Sequence, residues 1–274
     1  MTNSSVRKRR RTRRVRAAIL SIATIGALVI AGFAITRALE DHTTSCHVRL
    51  SKSRYTLQLD QAEHATTIAA VGKRLGLADH AVTVALAAAL QESNLHNVAH
   101  GDRDSLGLFQ QRPSQGWGSS TQVMDPKYAA EAFFTHLAKV DGWENLPVTT
   151  AAQEVQRSGA PQAYARWEPE ARALAIATTG EKGATFTCHG PTPKAASADR
   201  ALQPVMTAEL GPVDLSATVE PQRGWIIASW LVAHHQRFGI SAVTFNGKRW
   251  TPSAGTWAQH SPAALRVQIE RAIT

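Results

Sequence analysis

Only two cysteines occur among the 274 residues, and outside residues 17–35 no long apolar run is present. The lack of a second such run excludes a multi-span transporter. No sequence repeat stands out. Acid is missing altogether from residues 1–16, which hold eight cations: Arg7, Lys8, Arg9, Arg10, Arg11, Arg13, Arg14 and Arg16. Beyond them 22 cations face 21 acids, although the whole chain carries +9. The basic character therefore belongs to one short tail, no basic patch is left for the folded part, and no nucleic-acid partner is expected. Charged residues are few, at 19%, against 43% apolar. That composition is globular, with room for one large domain or two modest ones.

Ala17 to Ile35 is a run of 19 residues without a charge. Roughly 20 apolar residues cross the hydrocarbon core as a helix. Arginines and lysines just before such a run stay in the cytoplasm. The expectation is a basic cytoplasmic tail (1–16), a single-pass transmembrane helix (17–38) as the contact with the cytoplasmic membrane, and extracytoplasmic C-terminal domains. A cleaved signal peptide is the competing reading; the run is longer than a typical h-region, and no clean cleavage pattern follows. Cys46 and Cys188 then both lie on the exported side, where an even count suggests a disulfide. Such a bridge would close a loop of well over a hundred residues, worth about 5 kcal/mol in the chain-entropy model before native strain is subtracted. Cys46–His47 and Cys188–His189 would also supply zinc ligands, but adjacent ligands lack the usual spacers. No metal and no other cofactor is expected.

Helical spacing of Ile68, Val71 and Leu75 predicts a helix over 61–75 ending at Gly76. Ala81 to Glu92, AVTVALAAALQE, is apolar nearly all round and predicts a buried central helix. Residues 93–122 read as a long polar loop. Asp125-Pro126 opens a helix to about Val140. Thr149 is expected to cap a short helix to Arg157, and Pro161 to open another through about Ala177. These segments make residues 45–180 a mainly helical domain. Residues 181–204 read as a linker by composition. Residues 205–274 read as a small α/β domain: a helix over 224–238, a strand over 240–245, an Asn246-Gly247 hairpin turn and a return strand over 248–251. Residues 265–273 fit strand and helix alike.

The chemistry concentrates in Ala87 to Gly118, AAALQESNLHNVAHGDRDSLGLFQQRPSQGWG. Glu92 ends the apolar helix at the edge of a polar loop. A carboxyl half in apolar surroundings is disfavoured in its charged form, so its pKa rises. A general acid for glycosidic cleavage needs that property. Asp102 and Asp104 are the only acids nearby, and turn chemistry explains both. Glu92-Ser93, followed by Gly107-Leu108-Phe109-Gln110, resembles the lysozyme-like lytic transglycosylase family, with Phe109 where methionine is usual. The resemblance covers about residues 55–180. The Tyr-Asn-Ala-Gly pattern of many members is absent.

The resemblance implies a lysozyme-like fold for the first domain and peptidoglycan as the partner. Glu92 would be the catalytic acid and base, with Ser93 and Gln110 as substrate contacts. A sugar groove also needs flat apolar faces and planar hydrogen-bonding groups, which Gln111, Trp117 and Tyr164 are expected to supply, and Gly107 would let the backbone approach the sugar closely. A helix-end hydroxyl bonding to backbone is the other role open to Ser93, and core packing the other role for Trp117. The outcome would be a lytic transglycosylase or a muramidase. The alternative is a non-catalytic wall-binding or scaffold protein with Glu92 idle. The C-terminal segment GWIIASWLVAHHQRFGISAVTFNGKRWTP resembles a small α/β domain found beside peptidoglycan-cleaving modules, read here as an accessory module.

Overall fold

A computed structural model describes residues 44–194 and 201–272. The expected tail (1–16) and anchor (17–38) lie outside the described residues. Among those described, no helix is long and apolar enough to cross a membrane. The described residues from Thr44 onward cluster as one compact unit.

The fold class departs from the expectation of a mainly helical domain followed by a small α/β one. The described chain is mixed α/β throughout, with two small antiparallel sheets. The first sheet consists of β1 (Ser45–Arg49), β2 (Arg54–Gln58) and β3 (Phe186–His189), in the order β2-β1-β3. β1 buries only Cys46 and Val48, and β2 only Leu57. Alternation this brief carries little period-2 signal. β3 falls inside the stretch whose composition read as linker, yet Phe186, Thr187 and Cys188 are all buried. Cys46 and Cys188 sit opposite one another in the β1–β3 register and form the expected disulfide. The bridge thus closes 142 residues of chain at the centre of that sheet.

Between β2 and β3 lie the helices that position the site. They are α1 (Leu59–Arg74), α2 (Asp79–Ser93), α3 (Ser120–Val123), α4 (Pro126–Leu137), α5 (Val148–Gln156) and α6 (Glu168–Thr178). α2 is the buried centre, with every residue from Ala81 to Leu90 inaccessible. Its alanines let α1, α5 and α6 pack closely around it. Asp79 in its first turn suits the helix dipole and pairs with Lys73 at 2.7 Å. Asn94 (φ 53) and Leu95 (φ 62) are both left-handed, so the chain turns away directly after Glu92 and Ser93. α4 starts as expected: Asp125 accepts from the Lys127 amide at 3.0 Å with Pro126 at the first position.

Two expected starts are not the observed ones. Thr149 does not cap α5; its hydroxyl donates to the Pro161 carbonyl at 3.0 Å, and Pro147 precedes the first turn instead. Pro161 opens turns rather than a helix, and a short 3-10 segment at Ala165–Trp167 leads into α6.

The remaining elements are α7 (Leu202–Leu210), α8 (Pro221–Ala233), α9 (His235–Phe238) and strands β4 (Ile240–Phe245), β5 (Lys248–Trp250), β6 (Trp257–Gln259) and β7 (Gln268–Arg271). They form the second sheet in the order β6-β5-β4-β7. Asn246 (φ 45) and Gly247 (φ 71) make the expected hairpin turn, since both positions need positive φ. The ambiguous end of the chain contributes strand β7. α8 is buried on every side from Gly224 to Ala233. At Gly224 a Cβ would meet the Phe245 ring at 2.0 Å, so only glycine admits the sheet this close. The adjacent pair His234 and His235 is buried, and each ring nitrogen Nδ1 lies within hydrogen-bond distance of a carbonyl of α8 (Trp230 at 2.9 Å, Val232 at 2.8 Å).

α7 and α8 rest on α1 through one buried acid. Glu209 is 7% exposed, and its Oε2 accepts from Thr67 Oγ1 and Trp230 Nε1, both at 2.7 Å. Burial raises its pKa, and the two donors only partly oppose this. A folded-state pKa above the unfolded one gives stability that is complete below the unfolded pKa and lost as pH rises through the folded one. Glu209→Gln removes that loss while keeping an acceptor for both donors. Denaturant midpoints across pH should show the variant gaining on the wild type above the ordinary carboxyl range, by up to about 1.4 kcal/mol per pH unit until the folded pKa is passed. A difference that does not change with pH contradicts the assignment.

Candidate active site

The end of α2 delivers Glu92 to the wall of a cavity of about 480 Å³, also lined by Asp102, Gln110, Gln111, Trp117, Gln156 and Arg157. Glu92 is half-buried. Tyr164, fully buried, donates its hydroxyl to Glu92 Oε1 at 2.7 Å. Desolvation raises the Glu92 pKa, opposed by hydrogen bonds from Tyr164 and Gln156. Burial pushes the Tyr164 phenol up as well; Ser158 opposes that, and the neighbouring Glu92 charge adds to it. Tyr164 is therefore held as the donor, with Oε1 as the accepting oxygen. When Glu92 is protonated, the proton belongs on Oε2.

The downstream motif forms a closed turn. Leu106 and Gln111 exchange two backbone hydrogen bonds of 3.0 Å, with Gly107-Leu108-Phe109-Gln110 between them. Phe109 is 1% exposed and stacks on Phe133 with centroids 4.8 Å apart, so it anchors the turn in the core. Two side chains hold the turn to the acid. The Ser93 hydroxyl lies 2.8 Å from the Leu108 carbonyl and 3.2 Å from that of Ala89. Gln156 Nε2 donates to the Phe109 carbonyl at 2.8 Å. Ser93 thus has the backbone role that a helix-end hydroxyl allows.

Gly107 has φ 77, and a Cβ there would lie 2.4 Å from the Val123 carbonyl. The close approach at this glycine is made by the protein's own backbone. Gln110 sits in the left-handed region (φ 49), and its Nε2 donates to the Gly107 carbonyl at 3.2 Å. Gln111 is 2% exposed and donates Nε2 to the Ala129 carbonyl at 2.9 Å. That bond fixes the amide's orientation, and among the described residues the buried Oε1 has no hydrogen-bond partner. Trp117 stacks on His136 with centroids 4.0 Å apart and is partly exposed on the cavity wall.

The structure brings together Glu92, Gln110, Gln111 and Trp117 on the cavity wall, with Tyr164 behind Glu92. It places Ser93 and Gly107 in the supporting backbone. Gln91, Gln156 and Arg157 carry no role in the sequence reading. Gln91 Oε1 accepts from Trp167 Nε1 at 2.9 Å, which pins the residue beside Glu92. Val155-Gln156-Arg157-Ser158 reads from sequence as the tail of the first domain, and packing shows that Gln156, Arg157 and Ser158 line the cavity.

The nearby aspartates differ sharply. Asp104 accepts from the Ser114 amide (2.7 Å), Arg112 Nε (3.0 Å) and Ser114 Oγ (2.9 Å). The Ser114 amide first, and then Arg112, pull its pKa down to about 2. It is a loop brace with its oxygens occupied. Asp102 lines the cavity but is 89% exposed, with only Arg103 at 4.0 Å.

Compared with models of known protein families and with curated proteins, the chain matches none.

Tyr164→Phe should raise the Glu92 pKa, because it removes a hydrogen bond that favours the charged carboxylate while leaving burial in place. Carbon-13 titration of the Glu92 carboxyl in both proteins measures this. An unchanged or lower midpoint in the variant contradicts the hydrogen bond's role.

Proposed function

We propose that the protein cuts the glycan strand of peptidoglycan, with Glu92 as its single acid and base. The observation that carries this reading is the half-buried Glu92 carboxyl on a cavity wall, one oxygen held by Tyr164 and its pKa raised by desolvation. Glycosidic cleavage needs a proton delivered to the leaving oxygen in a partly dry site. Glu92 Oε2 supplies it, and the bond from the sugar's C1 to that oxygen breaks.

Most glycosidases add a second carboxylate. Asp104 is engaged in its loop, and Asp102 is 89% exposed with Arg103 at 4.0 Å. These placements support the single-residue route. The Glu92 carboxylate takes the proton from the muramic acid 6-hydroxyl as that oxygen bonds to C1, which closes a 1,6-anhydro ring. No water is consumed, and Glu92 ends protonated as it began. Gln110, whose Nε2 is taken by the His100 and Gly107 carbonyls, offers its Oε1 as an acceptor to sugar hydroxyls and amides, and Trp117 offers an apolar face.

An extracytoplasmic location for this reaction draws support from the Cys46–Cys188 disulfide and from the arginine-rich tail ahead of the apolar run 17–35.

Purified protein incubated with isolated cell walls should release fragments bearing anhydro ends, scored by mass spectrometry. Glu92→Gln should lower the rate by about 10²–10⁴, the usual span for losing a general acid. Reducing ends instead would show hydrolysis. Wall binding without any release would leave the binding-protein alternative.

A further inference from the structure

A second cavity, of about 820 Å³, adjoins the one holding Glu92. The two share Gln115, Trp117, Gln156 and Arg157, so they form one continuous trough with Glu92 in the smaller part. The larger part is lined by charges of both signs. Lys139 and Arg157 bring two cations to its walls, and Asp141 and Glu154 bring two acids. Among the described residues none of these four side chains makes an ion pair or a side-chain hydrogen bond. Two other surface cations are paired, Lys127 with Glu131 at 2.9 Å and Arg112 with Asp104 at 3.0 Å. Arg157 is further set by its backbone, since φ 51 at the end of α5 turns the chain out of the helix at the junction of the two cavities.

Unpaired charges of both signs around one concavity select against two classes of ligand. A neutral sugar chain offers no counter-charge to any of the four. A purely anionic ligand meets Asp141 and Glu154 as well as the cations. A segment with carboxylates and an amine on one short backbone can answer both signs at once. Peptidoglycan carries such a segment on its muramic acid: the stem peptide has free carboxylates and can carry the amine of a diamino acid.

We propose that the larger cavity is a subsite for the zwitterionic stem peptide, so that the preferred substrate is peptide-bearing glycan rather than the naked strand. The proposal rests on the glycan reading for its geometry, because the peptide branches from a sugar lodged beside Glu92. It also makes a claim of its own, that the cavity binds the peptide.

The test is calorimetric titration of the Glu92→Gln protein, which binds without turnover. Three probes are used: peptide-bearing glycan strands, the same strands stripped of peptide by an amidase, and the free stem peptide. Peptide-bearing strands should bind at least tenfold more tightly than stripped ones. Lys139→Ala/Glu154→Ala should erase that ratio while leaving the affinity for stripped strands unchanged. Equal binding of both strands, or a ratio that survives the double substitution, overturns the subsite and leaves the glycan reading standing. Binding of free peptide with no binding of stripped strands supports the subsite and sinks the glycan reading. Absence of binding by all three probes, with the variant's circular dichroism and melting matching the wild type, overturns both.

Discussion

The arrangement of the site depends on one contact, the hydrogen bond from the buried Tyr164 hydroxyl to Glu92 Oε1 at 2.7 Å. Two opposing effects meet there. Burial disfavours the charged carboxylate, and the phenol favours it; burial prevails, and the pKa stays raised. The same contact selects which oxygen can carry the proton. It also binds α2 to the segment after α5, which must lie against the end of α2 for the phenol to reach. Loss of the contact would free the carboxyl to rotate and would unpin residues 158–164 from the cavity wall.

The supports of that contact come from well-separated parts of the chain. Asn94 and Leu95, both at positive φ, end α2 abruptly, which keeps Glu92 at the boundary between core and cavity. Ser93 and Gln156 hold the 107–110 turn through two successive carbonyls. Phe109 fixes the turn into the core against Phe133. Residues whose types suggest substrate contact therefore divide in two. Gln110 and Trp117 face the cavity, while Ser93, Gly107 and the buried Gln111 build the frame that orients them.

What the sequence made legible follows from local signals. The buried character of α2 shows in its unbroken apolar run, and the Asp125-Pro126 start of α4 shows in its cap. The Asn246-Gly247 turn shows in its backbone requirement. The acid and three of its cavity neighbours share one stretch of about 25 residues, so a local reading gathers them. The first sheet escaped because its strands are four or five residues long, β1 and β2 bury few side chains, and β3 pairs with β1 across more than a hundred residues. Cys46 and Cys188 announced a bridge, but not that the bridge lies within a sheet. β3 was hidden by the Gly- and Pro-rich residues around it. Gln156 and Arg157 join the cavity by packing alone, which no spacing within the sequence encodes.

Since everything chemical here turns on a carboxyl that must be protonated to act, the pH dependence of glycan cleavage is the most direct test. The rate should fall as pH rises through the raised Glu92 pKa, and in the Tyr164→Phe protein the fall should move to higher pH. A rate that stays constant through that range, or a profile indifferent to the loss of the phenol, would contradict the account.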